Sequence, residues 1–152
     1  MTKYYFNLSV IQQNAVEKLM LVELRKLERI AKKHLVQERN SYTPKVYKRT
    51  GLTDKSLKVS PVIRVGNYLH GSVYFDNDLV VRKSMFSNKE YNTIDLFNSG
   101  WTSSSLESKL GKRIDRFTYF KGNNMLNNIL AEYNSVKHPS IRAKIINMER
   151  GI

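Results

Sequence analysis

No cysteine occurs among the 152 residues of this chain. Disulfides and thiolate-held metals are thereby excluded, and the composition suits a reducing compartment such as bacterial cytoplasm. No apolar run approaches the roughly 18 residues of a membrane span, so no membrane partner is expected. The opening residues, Met-Thr-Lys-Tyr-Tyr-Phe-Asn-Leu, hold no secretory core or cleavage site. Acidic residues are scarce: 13 Asp and Glu stand against 26 Lys and Arg, a formal net charge of +13. Proline occurs only 3 times, so each one marks a structural break.

Chemistry-bearing patterns are missing too. His34, His70 and His138 lie far apart, with no second ligand at metal-binding spacing, so no metal or cofactor is expected. Ser103, Ser104 and Ser105 lack a nucleophile elbow, and no glycine-rich phosphate loop is present. Asp76 and Asp78 form the Asp-x-Asp pair that binds divalent ions in some enzymes. With Asn77 between them, they read instead as a hairpin turn. The sequence offers no positive argument for an enzyme.

What is present is a chain 41% hydrophobic, enough for one domain over residues 1–152 with a real core. The positive charge suits nucleic acid, an anionic membrane surface or an acidic protein face, of which nucleic acid and protein are the partners expected here. It is uneven: residues 1–64 carry 14 basic and 5 acidic residues.

Residues 12–39 predict a long helix. Val16, Leu19, Met20, Leu24, Leu27, Ile30, Ala31 and Leu35 recur on one face, and Lys18, Arg25, Arg29, Lys32 and Lys33 on the other. Ser9 or Asn14 is the expected cap. Glu23 and His34 fall within the apolar stripe. They are expected where the helix overhangs the core or against backbone groups. Residues 1–11, with Tyr4, Tyr5 and Phe6, read as a docking arm or a strand joining the sheet.

Residues 52–121 form the expected sheet region. Leu57 to Val65 is a strand broken by Pro61, hence an edge. Leu69–Phe75 and Leu79–Lys83 predict a hairpin through Asp76, and 84–92 a loop. Thr93 is expected to cap a short helix through Phe97. Residues 102–112 form a polar, serine-rich mobile loop, and 116–121 a last strand. Over 123–150 two C-terminal helices are expected. The first is capped by Asn123 or Asn124 with Leu126, Ile129, Leu130 and Tyr133 on one stripe, and the second spans Pro139 to Met148. The fold class is therefore α+β: a small, mainly antiparallel sheet packed against a long N-terminal helix and C-terminal helices.

Tyr47, Arg49, Thr50, Gly51 and Leu52, followed by Ser56 and Leu57, form a recognisable string. In chain order come Leu69-His70-Gly71, then Phe97-Asn98-Ser99-Gly100-Trp101, then the segment from Phe117 to Asn124. Over about residues 12–135 this order resembles the head–tail joining, or tail-completion, proteins of tailed bacteriophages. The resemblance implies a structural virion protein without catalysis. It implies a homo-oligomeric ring at the neck, assembled in the host cytoplasm, around the DNA channel. Portal or connector and tail proteins would be its neighbours, with non-specific contact to genomic DNA. Lys18, Arg25, Arg29, Lys32, Lys33, Lys109, Lys112 and Arg113 are the candidate residues facing DNA or a partner. Trp101, Ser103, Ser104 and Ser105 are candidate interface residues. A non-specific nucleic-acid-binding protein is the alternative.

Overall fold

Strand β1 (Thr2–Ile11) opens the fold in the computed structural model, which describes residues 2–12, 15–41, 51–83, 90–101 and 120–149. Within the expected arm over 1–11, residues 2–11 are thus a strand. Phe6, Leu8 and Val10 alternate into the core, while Tyr5, Asn7 and Ser9 stand on the other face. Gln12 donates its backbone N–H to the Asn67 carbonyl at 2.7 Å, which keeps it on the sheet. Helix α1 therefore spans Val16–Asn40 and does not begin at Gln12. Neither expected cap serves it. Ser9 lies inside β1, Asn14 lies outside the described residues, and Ala15 at the N-cap makes no side-chain cap bond.

Helix α1 buries Met20, Leu24, Leu27, Ile30, Ala31 and Leu35 of the predicted stripe, with Val16 and Leu19 half-buried. Each fully buried leucine stabilises by roughly 2 kcal/mol. The stripe lies on β4 (Tyr68–Phe75), whose inward residues are Leu69, Gly71, Val73 and Phe75. Gly71 makes that approach possible. A Cβ there would stand 2.6 Å from Leu24 Cδ1.

The short helix α2 (Leu52–Lys55) follows Gly51, whose φ of 71° suits glycine. The rest of the motif, Tyr47, Arg49 and Thr50, lies outside the described residues. Pro61 breaks the next strand as expected. The two halves, β2 (Leu57–Val59) and β3 (Ile63–Val65), pair with opposite ends of the same edge of β4. Ser60 bridges the gap: its N–H donates to the Ser72 carbonyl and its hydroxyl accepts from the Ser72 N–H, both at 2.8 Å.

The expected Asp76 hairpin is absent. Asp76 instead caps α3 (Asn77–Val80), accepting from the Asp78 N–H at 3.1 Å, and Val80 drops into the core. A carboxylate that can satisfy an orphan helix N–H favours the helical turn when an apolar residue follows. The next strand, β5 (Val81–Lys83), consequently pairs with β6 (Glu90–Asn92) and not with β4. The predicted loop thus ends in a strand, and residues 84–89 lie outside the described set. Asn92, and not Thr93, caps α4 (Thr93–Ser99), accepting from the Ile94 N–H at 2.8 Å. Thr93 donates its hydroxyl to the Val80 carbonyl instead.

Strand β7 (Gly100–Trp101) pairs with β8 (Phe120–Lys121), the only described part of the strand expected over 116–121. Helix α5 (Met125–Val136) buries Met125, Leu126, Ile129 and Tyr133, with Leu130 half-buried. Asn124 occupies its N-cap position without a side-chain cap bond. The acceptor for the Leu126 N–H is Asn98 Oδ1, at 3.0 Å.

The second C-terminal helix is a correction. Residues 142–149 form β9 (Arg142–Glu149), antiparallel to β1. Ala143 and Ile145 pack on the core while Arg142 and Lys144 point away, so the segment alternates. The open edge of β1 supplies the backbone partners that decide for a strand.

The sheet order is β2-β4-β1-β9, with β3 also on β4, and every described pairing is antiparallel. Helices α1 and α5 cover one face and share one core with it. The architecture is α+β. Among the described residues, no helix is long and apolar enough to cross a membrane.

Candidate interaction surfaces

Two exposed surfaces lie on opposite sides of this two-layer structure. The first is the outer ridge of α1. Lys18, Arg25, Arg29, Lys32 and Lys33 are all exposed there, as the helical spacing predicts. Arg25 pairs with Glu28 at 2.8 Å and Lys33 with Glu132 at 2.8 Å. Exposed pairs of this kind are weakened by solvent screening and remain available to another anion. Among the described residues, Lys18, Arg29 and Lys32 meet no carboxylate at ion-pair distance. Leu21 and Val22 are half or more exposed on the same ridge, which makes it apolar as well as cationic.

Glu23 and His34 do not overhang the core. Glu23 is buried and accepts from the Tyr133 hydroxyl and Lys26 Nζ, each at 2.6 Å, and from the His138 N–H at 3.3 Å. Burial alone would raise its pKa. The bonds from Lys26, Tyr133 and His138 outweigh that and hold the carboxyl below its usual range. His34 Nε2 lies 2.8 Å from Glu132, whose carboxyl Lys33 and His34 together hold below its usual range. Both contacts tie α1 to α5.

The second surface is the sheet face that no described helix covers. Strand register lays its side chains in four rows. Lys58, Tyr74, Tyr5 and Ile146 form the first, with the Tyr5 and Tyr74 rings 5.6 Å apart. Ser72, Asn7 and Lys144 form the second. Ile63, His70, Ser9 and Arg142 form the third, and Val65, Tyr68 and Ile11 the last. His70 and Tyr68 bring their rings to 6.1 Å. Ile11, Ile63 and Val65 are more than half exposed, and Tyr68 is 43% exposed, so the far end is an apolar patch. Beside Ile11 and Tyr68 lies a cleft of about 390 Å³ that also includes Val16, His138 and Arg142. Lys58, Lys144 and Arg142 are exposed, and no Asp or Glu occupies an outward register position of the five strands.

Of the other predicted residues, Lys109, Lys112, Arg113, Ser103, Ser104 and Ser105 lie outside the described residues, as does the whole 102–112 loop. The Trp101 backbone pairs with Phe120 in β7. Asp76 and Asp78 are occupied in capping α3. Among the described residues, no three His, Asp or Glu side chains converge as a metal site. The sheet face was not foreseen. Its signal lay in the alternations Tyr5-Asn7-Ser9-Ile11 and Tyr68-His70-Ser72-Tyr74, outward halves of strands whose inward halves carry the core.

Comparison of the chain with protein-family models, with curated proteins and with solved structures finds no match.

Proposed function

We propose that this chain is a structural virion protein of a tailed bacteriophage, one that completes the head–tail joint at the neck as a homo-oligomeric ring around the DNA channel. Portal or connector and tail proteins are its neighbours, and genomic DNA is a weak, non-specific contact. One observation carries the reading beyond the sequence resemblance. The exposed ridge of α1 gathers Lys18, Arg25, Arg29, Lys32 and Lys33 on one side of the domain. Such a ridge suits a channel that carries a polyanion, or an acidic neighbouring ring.

The test is electron microscopy of lysates from a phage lacking this protein. Filled heads and finished tails that fail to join are expected. Absence of tails, or normal infectious particles, would refute the proposal. The second reading, a non-specific nucleic-acid-binding protein, is favoured by the exposed cations of the α1 ridge. It expects duplex binding that falls steeply with salt and a virion that forms without the protein.

A further inference from the structure

We infer that the open face of the sheet is a binding platform for single-stranded nucleic acid. Three features of that face point the same way. Its described charges are all cationic: Lys58, Lys144 and Arg142. Its aromatic rings come in two pairs, Tyr5 with Tyr74 and Tyr68 with His70. Its middle row, Ser72, Asn7 and Lys144, is polar and offers hydrogen-bond donors and acceptors.

The spacing fits a strand of bases. Tyr74 and His70 are four residues apart on β4, about 14 Å at strand rise. That distance spans about three nucleotides of an extended, unstacked strand, so a base at each aromatic pair would leave one above the polar row. Aromatic faces stack on any base, and the flanking cations hold the phosphates, so recognition is indifferent to sequence. A duplex offers no unpaired base to these rings, and a broad sheet face does not enter a groove as a helix or a two-stranded ribbon does. A second copy of the chain is disfavoured as occupant. It would bring a molecule of net charge +13 onto a face whose charges are already positive. The site is separate from the α1 ridge and does not depend on a place in the virion.

The test uses the purified full chain and fluorescein-labelled oligothymidine, free or annealed to oligoadenosine, read by fluorescence anisotropy. Single strand should bind more tightly than duplex. The slope of log affinity against log salt should be about −2, as three phosphate contacts to a single strand give. Tyr5→Ser with Tyr74→Ser should weaken single-strand binding about tenfold or more, while Tyr5→Phe with Tyr74→Phe should retain it. Lys58→Gln, Lys144→Gln and Arg142→Gln together should flatten the salt slope with circular dichroism unchanged. They carry the test if the serine variant does not fold. Arg25→Gln with Arg29→Gln, on the opposite side, should leave single-strand binding within twofold. Equal affinity for duplex, binding lost with the α1 charges only, or sedimentation showing self-association that Tyr68→Glu disperses and oligothymidine does not compete with, would each overturn the assignment.

Discussion

The Tyr133 hydroxyl donates to the Glu23 carboxylate at 2.6 Å, and both side chains are buried. Through this bond α5 is fixed to the middle of α1. The same carboxylate accepts the His138 N–H, so it also sets where the chain leaves α5 on its way to β9. The burial and the neighbouring carboxylate push the Tyr133 hydroxyl well above the usual tyrosine range, so it stays a donor.

Removing that donor should be costly. Tyr133→Phe keeps the ring and leaves a buried carboxylate oxygen with one weaker bond. A loss of about 1–3 kcal/mol in unfolding free energy is expected, read by urea denaturation. A change below about 0.5 kcal/mol would show that the bond contributes nothing net.

The same carboxylate gives stability a pH dependence. The folded pKa of Glu23 lies below its unfolded value of about 4.3. Its contribution is therefore present above about pH 4.3 and is lost as pH falls through the depressed folded value. Glu132 is shifted in the same direction, so the informative quantity is a difference. Unfolding midpoints of Glu23→Gln should vary less between pH 5 and pH 3 than those of the unsubstituted chain. Parallel curves would remove Glu23 from the account.

Gly71 and Leu24 should be coupled. Gly71→Ala forces a Cβ against a leucine that is fully buried, and overpacking of this kind costs about 1–3 kcal/mol. Leu24→Ala alone opens a cavity and costs about 2–5 kcal/mol. In the double variant the new methyl has room, so the two losses should sum to more than the combined one. Strict additivity in a thermal or urea cycle would contradict the close approach of α1 to β4.

The two faces of α1 should respond oppositely to charge. Arg25→Glu with Arg29→Glu should leave the far-ultraviolet spectrum and melting cooperativity intact, because both side chains are exposed. Leu27→Asp should abolish the cooperative transition by burying an unpaired charge. Melting of the double charge reversal at room temperature would contradict the assignment of faces.

Local patterns foretold the elements that stand on their own. The α1 stripe, the Pro61 break, the short helix around Phe97 and the α5 stripe are each written in one continuous segment. Tertiary pairing decided the others. Tyr4, Tyr5 and Phe6 mask an alternation that becomes plain only when Leu8 and Val10 are seen to share a face with Phe6. Pro139 reads as a helix start, and only the free edge of β1 turns the residues after it into a strand. Asp76 reads as part of a hairpin turn, and burial of Val80 makes the segment a helical turn capped by Asp76 instead. The cationic ridge was legible because it lies on one helix. The aromatic sheet face was not, because its rows join residues from β1, β4 and β9 that no sequence window contains together.

The placement of β1 between β4 and β9 bears on how the molecule is made. Ser9 pairs with Arg142 and Thr2 with Glu149, so β1 leaves the ribosome long before the segment that covers its second edge. Until then the nascent chain carries an open edge beside an unfinished core, a state prone to mispairing with neighbouring nascent copies. Pairings so distant along the chain also slow the search for the native state. Synthesis on crowded polysomes is therefore the stage at which chaperone dependence should be greatest, and a chain cut short of residue 142 should be recovered as aggregate and not as a smaller folded domain.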